Sequence, residues 1–210
     1  MLELDHALIA VPDLGRAAGE LEARHGLVAV EGGRHPGWGT ANRIVPLGDT
    51  YLELIAVVDA DEAAGSAFGR FVATAGAERA RPLGWAVRTH AMDEVAARLG
   101  LAVSSGSRAG RDGRTIRWRL AGVEEAAAEP HLPFIVEWGP ETTLPGRADA
   151  AHRDAPVRIV ELRLEGDAER LGEWLGGDSL PVSVREGAPA LAGIRLEGAA
   201  GEILLGGEPF

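Results

Sequence analysis

His35-Pro36-Gly37-Trp38-Gly39-Thr40-Ala41-Asn42-Arg43-Ile44-Val45-Pro46-Leu47-Gly48-Asp49-Thr50-Tyr51-Leu52-Glu53-Leu54-Ile55 is the stretch on which the fold turns. A loop rich in glycine and proline, ending at Gly39, leads into Thr40–Leu47, which reads as a strand. Gly48-Asp49 then turns the chain into a second strand, Thr50–Val57. Period-2 alternation puts Leu52 and Leu54 on one face and Tyr51, Glu53 and Ile55 on the other. Glu53 therefore stands in mid-strand among large apolar groups. A carboxylate there is costly unless it is paired, protonated, hydrogen-bonded or bound to a metal. That makes Glu53 the first candidate for chemistry, with a cross-strand pair to an arginine such as Arg43 as the structural alternative.

Reading outward, Leu2–Val11 is a strand carrying Asp5 and His6, and a helix capped by Asp13 runs to a stop at Gly26. A short strand, Leu27–Val30, and the loop Glu31–Gly39 lead back to the hairpin. The order is strand, helix, strand, strand, strand, and it recurs. Leu83–Thr89, the helix His90–Leu99, Leu101–Ser104, Arg114–Leu120 and Phe134–Trp138 repeat it, separated by a polar loop, Ser105–Gly113. The arginines Arg108, Arg111 and Arg114 of the stretch 104–114 suit either a flap over a ligand or a hairpin tip. Thr50-Tyr51-Leu52-Glu53-Leu54 lays over Phe134-Ile135-Val136-Glu137-Trp138, which sets Glu137 on Glu53. After the connector Gly139–Pro156 the pattern starts again over Val157–Glu165, a helix capped by Asp167, and strands near 180–185, 191–196 and 202–205. This last copy has Val160 where His6 stands and Ile203 or Leu204 where Glu53 stands.

The fold class expected is α+β. Two tandem βαβββ units, residues 1–80 and 81–140, form a mixed sheet, and a linker, 141–156, leads to a third, degenerate βαβββ-like unit at 157–210. The chain has 210 residues, a net charge of −11, no cysteine, and arginine as its only strongly basic residue. Thiolate nucleophiles, thiolate metal sites and lysine Schiff bases are thereby excluded. The acidity argues against nucleic acid or an anionic membrane as partner. With no run of 18 apolar residues and no leader pattern, a cytoplasmic location is expected.

The set Leu4-Asp5-His6, His35–Asn42, Tyr51–Ile55, Leu83–Arg88 and Pro133–Gly139, in this order and spacing, resembles the glyoxalase-like domain family of the vicinal oxygen chelate superfamily, which also holds glyoxalases, bleomycin-resistance proteins and dioxygenases. The resemblance implies sheets curled into a cup with helices outside and a divalent metal inside, its ligands drawn from the first and fourth strands of each unit. Carried over, it makes His6, Glu53 and Glu137 the metal ligands, while the first strand of the second unit offers only Gly84 or Trp85. One nitrogen and two carboxylates would suit Mn, Fe, Zn or Mg. Glu137 or Glu53 would move a proton while the metal polarises a carbonyl.

The implied function is a metal-dependent lyase or isomerase acting on a small oxygenated metabolite. The alternative is a metal-free protein that binds or sequesters a small apolar-aromatic ligand between Trp38, Trp85, Trp118 and Trp138, with homodimer formation open in either case. His35, Trp38, Asn42, Trp85, Arg117 and Arg119 are the candidates for ligand contact. Each has a structural reading beside it: Trp38 as a core plug, and Arg117 and Arg119 as a solvated face if Ile116, Trp118 and Leu120 point into the cup. His6 could likewise be a buried histidine bonded to a backbone carbonyl.

Overall fold

In a computed structural model of the protein, residues 1–74, 78–109 and 115–206 are described. The first unit comprises β1 (Glu3–Ala10), α1 (Leu14–His25), β2 (Val30–His35), β3 (Thr40–Pro46) and β4 (Tyr51–Val57). Two short helices follow, α2 (Ala60–Ala64) and α3 (Ala67–Ala73). The second unit comprises β5 (Arg81–Arg88), α4 (Met92–Leu99), β6 (Val103–Ala109), β7 (Thr115–Ala121), α5 (Val123–Ala128) and β8 (Phe134–Trp138). The last contains β9 (Arg158–Glu165), α6 (Ala168–Leu175), β10 (Val182–Arg185), β11 (Ala190–Gly198) and β12 (Gly201–Leu205).

Helix α1 ends as its sequence requires: Asp13 accepts from the Arg16 amide, and Gly26 takes a left-handed conformation, φ 67°. The region expected as a loop at 31–39 is mostly strand, because β2 runs on to His35 through Gly32 and Gly33. Likewise Ser105–Ala109, expected as part of a loop, belongs to β6, and Arg111 and Arg114 lie outside the described residues.

One sheet of eight strands has the order β2-β3-β4-β1-β5-β8-β7-β6. Each unit supplies four neighbouring strands in the same pairing, and the units join through antiparallel β1 and β5. The sheet curls until its two edges meet. Arg108 of β6 donates from Nη1 to the carbonyl of Gly32 on β2 at 2.6 Å, fastening the seam.

Both faces of the curled sheet are buried. The convex face, with Ala7, Ile9, Leu52, Leu54, Trp85 and Val87, packs under α1, α4 and the third unit. The concave face, with Leu8, Ile55, Trp118, Phe134 and Val136, packs against Phe68, Phe71 and Val72 of α3 and Val123 and Ala126 of α5.

The third unit keeps the element order but pairs differently, as β10-β9-β11-β12, with β9 flanked by parallel β10 and antiparallel β11. Its inner face, Ile159, Leu162, Leu164, Ile194 and Leu196, joins the convex core. Outward it shows a mesh of ion pairs, Glu161 with Arg163 and Arg195, and Arg195 with Glu202. The 141–156 stretch lies along the first hairpin: the Gly146 carbonyl accepts from the Gly48 amide, and His152 takes the Val28 amide on Nδ1.

Candidate functional site

His6 and Glu53 come from neighbouring parallel strands and face the same hollow. The β1–β4 register sets His6 beside Tyr51 and Leu8 beside Glu53. His6 Nε2 lies 3.2 Å from Glu53 Oε2, and both side chains are buried. A bulge between Leu4 and His6 in the β1–β5 ladder frees Asp5 from strict alternation, so its carboxylate reaches the other edge of the same ring. Asp5 Oδ1 is 2.6 Å from His6 Nδ1, and Asp5 Oδ2 accepts from Trp138 Nε1 at 2.9 Å. The imidazole is thus held between two carboxylates and stacked on Tyr51, with centroids 4.5 Å apart.

Burial by itself would lower the His6 pKa, but the hydrogen bond to Asp5 and the close Glu53 carboxylate outweigh it and raise the value to about 9. Burial would raise the Glu53 pKa, yet His6 and the Asn42 amide hold it below the ordinary carboxylate value. The pair is therefore an imidazolium and a carboxylate at neutral pH. Burial, with the charges of Asp5 and Glu53 nearby, pushes the Tyr51 phenol up, so it stays neutral.

Asn42 donates from Nδ2 to Glu53 Oε1 at 2.6 Å, which makes Asn42, and not Arg43, the partner of Glu53. Its Oδ1 lies where a Cβ on Gly32 would be, 2.0 Å away, so the glycine is what lets the amide reach the acid. His35 is buried at the end of β2 with Nδ1 2.9 Å from Thr40 Oγ1, and burial depresses its pKa, leaving it neutral. Trp38 packs on Phe68 and Trp118 at the mouth of the hollow. His6, His35, Trp38, Asn42 and Glu53 are therefore brought together.

Four expected site residues lie outside the inner cavity. The cup-facing residues of β8 are Phe134, Val136 and Trp138, so Glu137 points to the other side. A shift of one residue in a strand exchanges its faces, and the alignment of Glu137 with Glu53 contains that shift. Its carboxylate takes Arg119 Nη1 at 2.9 Å and the Met92 amide at 3.3 Å, at the start of α4. Trp85 is on the convex face, fully buried, donating to the His131 carbonyl at 3.1 Å. Arg119 is tied to Asp93 and Glu137, and Arg117 shares its face of β7, so both stand on the rim while Trp118 and Leu120 enter the cup.

Asp5, Tyr51 and Phe134 are not among the expected site residues; for Asp5 the signal is its place next to His6. Arg108, expected in a flap over a ligand or a hairpin tip, instead enters the lining from strand β6.

The hollow contains a cavity of about 40 Å³, whose lining includes His6, Asn42, Tyr51, Glu53, Arg108 and Phe134. His35, Trp38, Trp118 and Trp138 line both this cavity and an open groove of about 840 Å³, whose rim carries Arg117.

A model of the family described as a glyoxalase-like domain matches residues 4–177. The chain belongs to the glyoxalase-like domain family. Among solved structures, a hypothetical protein from Staphylococcus aureus is 13% identical, with a TM-score of 0.74, covering 95% of this chain and 92% of that one. Methylmalonyl-CoA epimerase from Mycobacterium tuberculosis is 20% identical with a TM-score of 0.47, covering 67% of this chain and 89% of that one. No curated protein matches the chain. The likeness to the staphylococcal structure is one of fold, and function must be argued from the site.

The resemblance to the vicinal oxygen chelate superfamily implies a divalent metal, and the side chains of this glyoxalase-like protein do not fit one. Two potential ligands meet, His6 Nε2 and Glu53, while the second unit faces them with Phe134, Val136 and Trp138. Asp5 is on the far edge of the imidazole. Among the described residues no three His, Asp or Glu side chains form a group that could hold a metal ion. The expected ligand set His6, Glu53 and Glu137 is corrected accordingly. The two groups that do meet are already charge-compensated by each other.

Proposed function

We propose that this protein holds a small apolar or aromatic molecule in its cup without a metal. The observation carrying this reading is the asymmetry of the hollow. One wall bears a compensated polar cluster, His6, Glu53 and Asn42, and the other is indole and phenyl rings. Such a site grips a flat ligand by ring contact and orients it by a few polar atoms. Calorimetric titration with small aromatic molecules after exhaustive chelation is expected to show one-to-one binding, unchanged by the chelator and weakened at least tenfold in Trp118→Ala. Binding that is absent after chelation and restored by one equivalent of Mn²⁺ or Zn²⁺ would overturn it.

The His6–Glu53 contact favours a second reading, an isomerase or lyase working by proton transfer. His6 Nε2 would donate to a carbonyl oxygen as Glu53 removes a neighbouring carbon-bound proton. Turnover abolished by Glu53→Gln with ligand binding retained is the result that would select it.

A further inference from the structure

Two polar atoms of residues lining the cup, His6 Nε2 and Asn42 Oδ1, are buried with no hydrogen-bond partner among the described residues. Glu53 Oε2 is 3.2 Å from His6 Nε2 without bonding it, and Asn42 Oδ1 is turned toward Gly32 while its Nδ2 serves Glu53. All three side chains line the cavity of about 40 Å³. A buried ring nitrogen left unbonded costs free energy that a correctly placed ligand group recovers.

Size and charge define that group. An apolar cavity that takes benzene is about 150 Å³, so this one admits a substituent and not a ring. The ring belongs further out, among Trp38, Trp118 and Trp138, which line both the cavity and the groove outside it. His6, Arg108 and Glu53 line the cavity, while Asp5 stands on the far edge of the His6 ring with Arg88 Nη1 3.9 Å away. An entering carboxylate would meet Glu53, and an ammonium would meet His6 and Arg108, in a medium of low dielectric. A carbonyl could satisfy His6 but would offer nothing to Glu53. A hydroxyl accepts from one and donates to the other.

We propose that the ligand is a neutral hydroxylated aromatic, a phenol, whose oxygen bridges His6 Nε2 and Glu53 Oε2 while its ring lies against the tryptophans. This rests on the reading of the cup as a ligand site, and it adds the ligand's chemical class. A site built to bond a hydroxyl discriminates strongly against the analogue that lacks it.

The test is a titration of the chelated wild-type protein with phenol, anisole, toluene and benzoate. Anisole keeps the oxygen and loses its proton, toluene loses both, and benzoate substitutes a charge. Phenol is expected to bind at least tenfold more tightly than anisole and toluene, with benzoate weakest, and the preference should shrink in Glu53→Gln. Equal affinities for the three neutral compounds would overturn this inference and leave the ligand site standing. Failure of all four to bind would overturn both. The wild-type series decides the matter even if the variant does not fold.

Discussion

Asp5→Ala is expected to lower the unfolding free energy by about 3–5 kcal/mol at pH 6, as removal of one partner from a buried charge pair does. Asp5 is buried and is engaged by His6 Nδ1 and Trp138 Nε1. The alanine leaves an imidazole edge and an indole N–H unpaired at once. Asp5→Asn keeps the shape and an acceptor but loses the charge, so it should lose less.

The two variants should also differ from the wild type in pH dependence. The folded His6 has its pKa raised from 6.5 to about 9. Its contribution is fully present below pH 6.5, where the unfolded histidine is also charged. It is lost as pH rises toward 9, because the unfolded chain sheds its proton first. The shift corresponds to about 3 kcal/mol lost across that window. Glu53, with its pKa lowered, acts in the opposite sense: its contribution is lost in acid as pH falls through the folded value. Urea denaturation from pH 5 to 9.5 should show the alkaline decline in the wild type and a flatter curve in Asp5→Asn. Equal slopes would mean that Asp5 does not hold the proton on His6.

Gly39→Val carries the other large effect. Gly39 has φ 65°, and a Cβ there would stand 2.3 Å from both the Ala63 nitrogen and the Asp59 carbonyl oxygen. Its own carbonyl accepts from the Val58 and Asp59 amides, which seats α2 on the β2–β3 turn. A branched residue has neither the backbone conformation nor the space. The block α2–α3, with Phe68 and Phe71 filling the cup, would have to lift, at a cost of about 4 kcal/mol or more. Gly37, two residues earlier, is the control. It has φ 78° but open space around its Cβ position, so Gly37→Ala should cost only the left-handed strain, about 1 kcal/mol. Similar losses for the two would show that backbone conformation alone, and not the seat of α2, governs this turn.

The paired βαβββ units were legible because each element carries its own signal: capped helices ending in glycine, and strands of β-branched and aromatic residues. Glu53 was legible because a carboxylate between Leu52 and Leu54 breaks an apolar run. Glu137 misled for the converse reason. Phe134-Ile135-Val136-Glu137-Trp138 is apolar on both faces, since both are covered, and such a strand gives no period from which to choose a side. The same double burial hid the fact that Trp85 lies behind the sheet. β2 read as a loop because Gly32 and Gly33 carry no strand preference, yet Gly32 is glycine to admit Asn42. Helices α2, α3 and α5 are each under two full turns and rich in alanine, too short to show a face. What the sequence could not supply was the content of the cup: α3 fills much of it.

An imidazolium set between two carboxylates lies at the centre of an aromatic hollow, and ¹⁵N NMR of the His6 ring reads that state directly. In a titration from pH 5 to 10, with and without equimolar Zn²⁺, both ring nitrogens should keep the charged signature to about pH 9, unmoved by the metal. A ring neutral at pH 7, or one whose Nε2 shifts on stoichiometric Zn²⁺, would contradict it.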